Sequence, residues 1–282
     1  MKYLTYELNE RVGSGLNDRK CVLSILFEEA KSCGRIAVIP RFKMSKNHNN
    51  ARPSTSQILG EYLSFDDERY PYVLNIENTQ WNVISGEDDI PDEPKYVKRH
   101  FTRGVWYNKT WNMYEKESFI LRNTTFKPIE MVKQAGDEIL KKLGTKTIGV
   151  HVRKGDRLTP NETRRLTHGY IQDICSKTGY AMYVASNEQN FVGEFYTYRD
   201  FPEAHSFARD NYLLFALEMY IVENCDVHIK TFQDSEHLYS SDAALYYMIP
   251  RSMHIHDNKQ RDASYTPEKK LFEMTSLPSK QI

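Results

Sequence analysis

The chain has 282 residues, and its 38 Lys and Arg balance 38 Asp and Glu, so the formal net charge is zero. That balance removes the long-range electrostatic case for nucleic acid or an anionic membrane surface as partner. Hydrophobic residues make up 40% and charged residues 27%, which supports a sizeable core and excludes global disorder. No stretch approaches the apolar length of a membrane span, and the opening Met1-Lys2-Tyr3-Leu4-Thr5-Tyr6-Glu7 lacks a signal-peptide core, so a soluble protein is expected. The four cysteines, Cys21, Cys33, Cys175 and Cys225, form no Cys-x-x-Cys pair. Neither zinc nor dithiol chemistry is expected, and reduced thiols in a cytoplasmic setting are. In that setting the Asn-x-Thr triplets at Asn108, Asn123 and Asn161 read as chance composition rather than glycan acceptors.

In chain order, Tyr3-Leu4-Thr5-Tyr6 favours a strand and Gly13-Ser14-Gly15 a permissive turn. A helix is predicted from Asn17, with Leu23, Leu26, Phe27 and Ala30 at helical spacing and Gly34 able to end it. Ile36-Ala37-Val38-Ile39 predicts a short apolar strand stopped by Pro40. Residues 41–125 alternate an acidic run (Glu87-Asp88-Asp89, Asp92-Glu93) with a basic one (Lys95, Lys98, Arg99, Arg103), the pattern of solvated, irregular loops. Trp81, Trp106 and Trp111 suit either core packing, the expectation for at least two of them, or a sugar-stacking surface.

A second alternating block begins near Lys127. Ile129, Val132, Ile139, Leu140 and Leu143 predict a helix closed by Gly144, and Thr147 to Arg153 a buried strand. Further helices are predicted at 165–178 and 209–224, with strands at Tyr180–Ala185 and Val227–Ile229. Strands alternating with helices imply parallel sheets with crossover helices. The expected fold is therefore α/β, two Rossmann-like domains facing a cleft. Residues 1–125 would form the first domain with its irregular middle, 126–256 the second, and 257–282 a polar tail able to pack back on the first.

Ligands of open parallel sheets sit beyond the carboxyl ends of the strands. The most informative string there is Gly149-Val150-His151-Val152-Arg153-Lys154-Gly155-Asp156-Arg157. Strand alternation puts His151 and Arg153 on one face, with Arg153 at the exit, where a guanidinium offers a planar fork of donors to a diphosphate. Gly155 allows close backbone approach, and Asp156 is placed to orient Arg153 or Arg157 or to accept a proton. The same string also reads as a strand ending in a charged β-turn. A dinucleotide-dependent oxidoreductase is disfavoured, because Asp18 stands where Gly-x-Gly-x-x-Gly needs its third glycine.

The His-x-Arg-x-Gly-Asp-Arg string at the end of an apolar strand resembles the signature of the fucosyltransferase superfamily, which includes protein O-fucosyltransferases and α1,2- and α1,6-fucosyltransferases. Two further stretches resemble that family, in its order. One is Gly13-Ser14-Gly15-Leu16-Asn17-Asp18-Arg19 with its helix and the Gly34–Pro40 run. The other is Ala216–Tyr220 through Asn224-Cys225-Asp226 to Ser240-Ser241-Asp242-Ala243. The resemblance implies a GT-B fold of two Rossmann-like domains and inverting, metal-independent transfer of a sugar, with fucose from GDP-fucose the first choice. Nucleotide sugar and glycan acceptor would be its partners and no cofactor would be needed.

Residue by residue, the resemblance implies that Arg153 grips the donor pyrophosphate and that His151 supports the site wall. Asp156 would hold the loop or contact the base. Gly13, Gly15 and Asn17 would lie against the donor sugar and phosphate, and Ser240 and Ser241 would offer hydroxyls to phosphate. Ser14, Arg157, Ser186, Asp234 and Asp242 complete the expected donor-binding set. Ser14 stands where some family members carry a carboxylate, so the catalytic base stays open among Glu7, Asp18 and Asp156. Another donor such as UDP-xylose, or a non-catalytic nucleotide- or glycan-binding protein, are the alternative readings.

Overall fold

The first strand, β1 (Tyr3–Leu8), sends Leu4 and Tyr6 into the core at 0% and 1% exposure. They face helix α1 (Leu16–Ser32), whose Val22, Leu23, Leu26, Phe27 and Ala30 are buried. A computed structural model of the chain describes residues 1–8, 16–41, 57–86, 88–101, 126–152, 179–186 and 193–230. Helix α1 ends as its sequence predicts. Gly34 takes φ +61°, its N–H bonds the Lys31 carbonyl at 3.1 Å, and the Arg35 N–H bonds that of Ala30 at 2.8 Å. That is a Schellman closure, which favours glycine at the left-handed position. The chain then enters β2 (Ile36–Ile39), parallel to β1.

The segment expected to be irregular supplies most of the remaining sheet. After the two-residue β3 (Leu63–Ser64) come β4 (Tyr72–Leu74), β5 (Asn82–Ser85) and β6 (Tyr96–Phe101). They complete a five-stranded parallel sheet in the order β4-β2-β1-β6-β5. The expectation of solvated loops fails at the basic run, because Lys98 and Arg99 lie within β6 and Arg99 is only 2% exposed.

The connection from β5 to β6 explains how a buried arginine is tolerated. It spans residues 86–95 with no helix among its described residues, whereas parallel neighbours are ordinarily joined through a helix. Two arginines pin it instead. Arg99 Nη1 donates to the carbonyls of Ser85, Gly86 and Asp88 at 3.2, 3.0 and 2.7 Å. Arg35 donates to those of Pro91, Asp92 and Pro94 at 2.5, 3.2 and 2.9 Å. Carbonyls that a helix would have satisfied internally are thus satisfied by guanidinium groups.

Beside α1, Phe27 stacks on Phe65 with centroids 4.6 Å apart, and Tyr70, Tyr72 and Phe126 close the cluster. β7 (Lys127–Pro128) pairs antiparallel with β3 nearby. Trp81 is half-buried, edge-on to Tyr96 at 5.5 Å. Trp106 and Trp111 lie outside the described residues, as do Glu87, Arg103, the predicted 165–178 helix and the 257–282 tail.

The described elements divide into two compact units, one up to Ile129 and one from Glu130. In the second, helix α2 (Glu130–Leu143) ends at Gly144, with φ +87° and its N–H on the Leu140 carbonyl at 3.1 Å. β8 (Thr147–Val152), β9 (Ala181–Ser186) and β10 (Val227–Lys230) form a parallel sheet in the order β10-β8-β9. Helix α3 (Asn211–Asn224) is shorter than the predicted 209–224 because Asp210 caps it, accepting from the Tyr212 and Leu213 N–H groups at 3.0 and 3.4 Å.

Two glycines let α3 approach its neighbours. A Cβ on Gly149 would stand 2.7 Å from Val222 Cα, and one on Gly136 would stand 2.2 Å from a Tyr220 ring carbon. At the opening end of this sheet, one Asp226 oxygen accepts from the Lys146 and Thr147 N–H groups and the Thr147 hydroxyl, at 3.1, 2.7 and 3.1 Å. No helix among the described residues is long and apolar enough to cross a membrane.

Candidate active site

Open parallel sheets form ligand crevices where strand order reverses, because the loops leaving the two adjacent strands part to opposite faces. In the first sheet β1 connects outward to β2, while β4 leads across to β5 and back to β6, so the reversal lies between β1 and β6. At its carboxyl end Glu7 and His100 are register partners. Glu7 Oε2 lies 3.8 Å from His100 Nδ1, and the two side chains are 49% and 46% exposed. Two register pairs back, Thr5 is buried with its hydroxyl donating to the Val38 carbonyl at 2.8 Å, and Lys98 is its register partner.

Asn17 and Asp18 lie in the first turn of α1. Gly13, Ser14 and Gly15, which precede it in the chain, lie outside the described residues.

In the second sheet β8 connects to β9 on one side and the chain returns as β10 on the other, so the reversal lies between β8 and β10. His151 stands at that point. The backbone pairs it with Lys230 on β10 and with Ala185 on β9. Its ring is 8% exposed and edge-on to Phe215 of α3 with centroids 6.3 Å apart. Ser186 closes β9, half-buried, beside Val152. Arg153, Asp156 and Arg157, which follow β8, lie outside the described residues, as do Asp234, Ser240, Ser241 and Asp242 after β10.

Two titratable residues of note did not stand out in the sequence. His100 was hidden within the basic run: alternation over Tyr96–Phe101 groups it with Lys98 on one face, but no local signal pairs it with Glu7. Glu218 interrupts the apolar run of α3 and is buried at 7% exposure. Burial pushes its carboxyl up to about 8, with the Arg199 charge opposing. Among the described residues, neither its Oε1 nor the Tyr183 hydroxyl has a hydrogen-bond partner.

No family model and no curated protein matches the chain. Solved structures do. Fucosyltransferase NodZ from Bradyrhizobium aligns over 88% of this chain and 91% of its own, with 13% identity and a TM-score of 0.54. The fold is fucosyltransferase-like. A NodZ α-1,6-fucosyltransferase structure co-crystallised with GDP aligns over 88% of this chain and 91% of its own, at 13% identity and a TM-score of 0.51. Another, soaked with GDP-fucose, covers 88% and 93% at 13% identity and a TM-score of 0.50. The fucosyltransferase-like fold agrees with the resemblance carried by the His151-x-Arg153-x-Gly155-Asp156-Arg157 string, and at this identity the agreement is one of fold.

Proposed function

We propose that the chain is a glycosyltransferase with the two-Rossmann-domain GT-B arrangement, transferring fucose from GDP-fucose to a glycan hydroxyl with inversion and without a metal ion. The observation that carries this is the position of His151. It stands at the reversal of strand order of its sheet, two residues before the arginine of the signature string, in a fucosyltransferase-like fold. NodZ has been crystallised with GDP and soaked with GDP-fucose, which makes a guanosine donor the first to try here.

In this reading Arg153 supplies paired N–H donors to the departing diphosphate, where negative charge develops. Ser240 and Ser241 add hydroxyls, and Gly13, Gly15 and Asn17 contact the donor sugar. The domain from 126 to 256 holds the nucleotide, in the cytoplasm. His151, two residues before Arg153, is buried against Phe215 at the end of β8.

A thermal-shift panel of GDP, UDP, ADP and their sugar conjugates, run beside an assay for released nucleoside diphosphate, tests the proposal. GDP and GDP-fucose should raise the Tm, and GDP should be released on transfer. Stabilisation by UDP and UDP-xylose instead would reassign the donor. Stabilisation without release from any donor would mark a non-catalytic binder.

A further inference from the structure

The acceptor hydroxyl loses its proton in such a reaction, and the carboxyl ends of β1 and β6 hold an exposed carboxylate. We propose that Glu7 accepts the proton of the acceptor hydroxyl and that His100 positions its carboxylate. This rests on the glycosyltransferase reading above. Three observations lead to it. Glu7 lies at the strand-order reversal of its sheet, where ligands of such sheets bind. It is about half exposed, so an acceptor hydroxyl can reach it. Two nearby carboxylates are already engaged: Glu29 accepts from Arg99 and from the Tyr6 phenol, and Asp88 accepts from the Ser85 N–H at 2.9 Å.

The pair's geometry suits a base with an orienting partner. His100 Nδ1 approaches Glu7 Oε2 at 3.8 Å from the neighbouring strand, held there by six register pairs between β1 and β6. Such contacts commonly tighten when substrate is bound. Sharing the face are Thr5 and Lys98 two register pairs back and, from β5, Ser85 opposite His100. In the step, the acceptor oxygen forms its bond to the anomeric carbon. The bond from that carbon to the diphosphate oxygen breaks, with its electron pair leaving on the nucleoside diphosphate. The hydroxyl proton moves to Glu7.

Release of GDP from GDP-fucose with water as acceptor tests the assignment without a known glycan. Binding of GDP by calorimetry and the Tm are measured on the same full-length samples. Glu7→Gln should lower release by on the order of a hundredfold, the low end for a lost general base, while GDP affinity stays within threefold and the Tm within a degree or so. Formate should restore part of the activity of Glu7→Ala. His100→Ala should lower kcat by about tenfold with little change in the donor KM, and His100→Asn, whose amide nitrogen replaces Nδ1, should recover most of it. If the wild-type chain releases GDP and Glu7→Gln keeps more than half that rate, the assignment is overturned while the glycosyltransferase reading stands. If the wild-type chain binds GDP but releases none from GDP-fucose, with water alone or with glycan acceptors supplied, both fall together.

Discussion

Arg99 on β6 and Glu29 on α1 form a bidentate ion pair, Nη2 to Oε1 at 2.9 Å and Nε to Oε2 at 3.1 Å, with the Arg99 side chain 3% exposed. The same guanidinium holds three carbonyls of the β5–β6 connection. One side chain therefore ties the helix to the sheet and, together with Arg35, holds a crossover that has no helix among its described residues.

Arg99→Ala should be among the most destabilising substitutions in this unit, by about 3–5 kcal/mol, because it leaves a partly buried carboxylate and three carbonyls without their donor. Glu29→Gln should cost less, since an amide oxygen can still accept. Chemical denaturation of both variants measures the difference. A loss under about 1 kcal/mol for Arg99→Ala would mean that water replaces the guanidinium in the connection.

Gly149 and Gly34 should respond to alanine for opposite reasons. At Gly149 the added Cβ meets the backbone of Val222 at 2.7 and 2.8 Å, so β8 and α3 must separate, at a cost of about 1–3 kcal/mol. At Gly34 a Cβ meets nothing within 4 Å, and the cost is the left-handed backbone at φ +61°, about 1 kcal/mol. Stability measurements on both variants should rank Gly149→Ala as the worse.

Glu218 should make the stability of the chain fall with rising pH. Burial raises its folded value to about 8, above the ordinary 4.5, so between those values the folded state binds a proton that the unfolded state has lost. The contribution is full below 4.5 and declines by about 1.4 kcal/mol per pH unit until the folded carboxyl ionises near 8. Glu218→Met removes the ionisable group from an apolar site and should flatten this slope. Urea denaturation at pH 6, 7 and 8 for both chains checks it, and parallel slopes would show that Glu218 does not titrate this way.

Arg153→Lys should be nearly as damaging to sugar transfer as Arg153→Ala. Lysine keeps the charge but loses the planar fork, so turnover should fall at least about tenfold, on the order of 1.4 kcal/mol of transition-state stabilisation. Wild-type turnover in the lysine variant would remove Arg153 from the site. EDTA should leave turnover unchanged, and activity lost to EDTA and restored by manganese would refute metal independence.

Local sequence determined the elements whose signals are contained within themselves. Helix α1 carried both its apolar spacing and its terminating Gly34; β2, β8 and β9 were continuous apolar runs; α3 was unmistakable in Tyr212–Val222, and only its first turn was displaced by the Asp210 cap. The string containing His151 and Arg153 pointed to a strand end because its apolar run stops at a charge cluster. Tertiary structure alone decided the middle segment. β4 and β5 span three and four residues, too short for a periodic signal, and β6 carries Lys98, Arg99 and His100, which read as solvated charge. Arg99 can be buried in β6 only because Glu29 arrives from α1, 70 residues away in the chain. Glu7 and His100 meet for the same kind of reason: parallel pairing of β1 with β6 is a long-range event, and no local pattern in either strand encodes its partner.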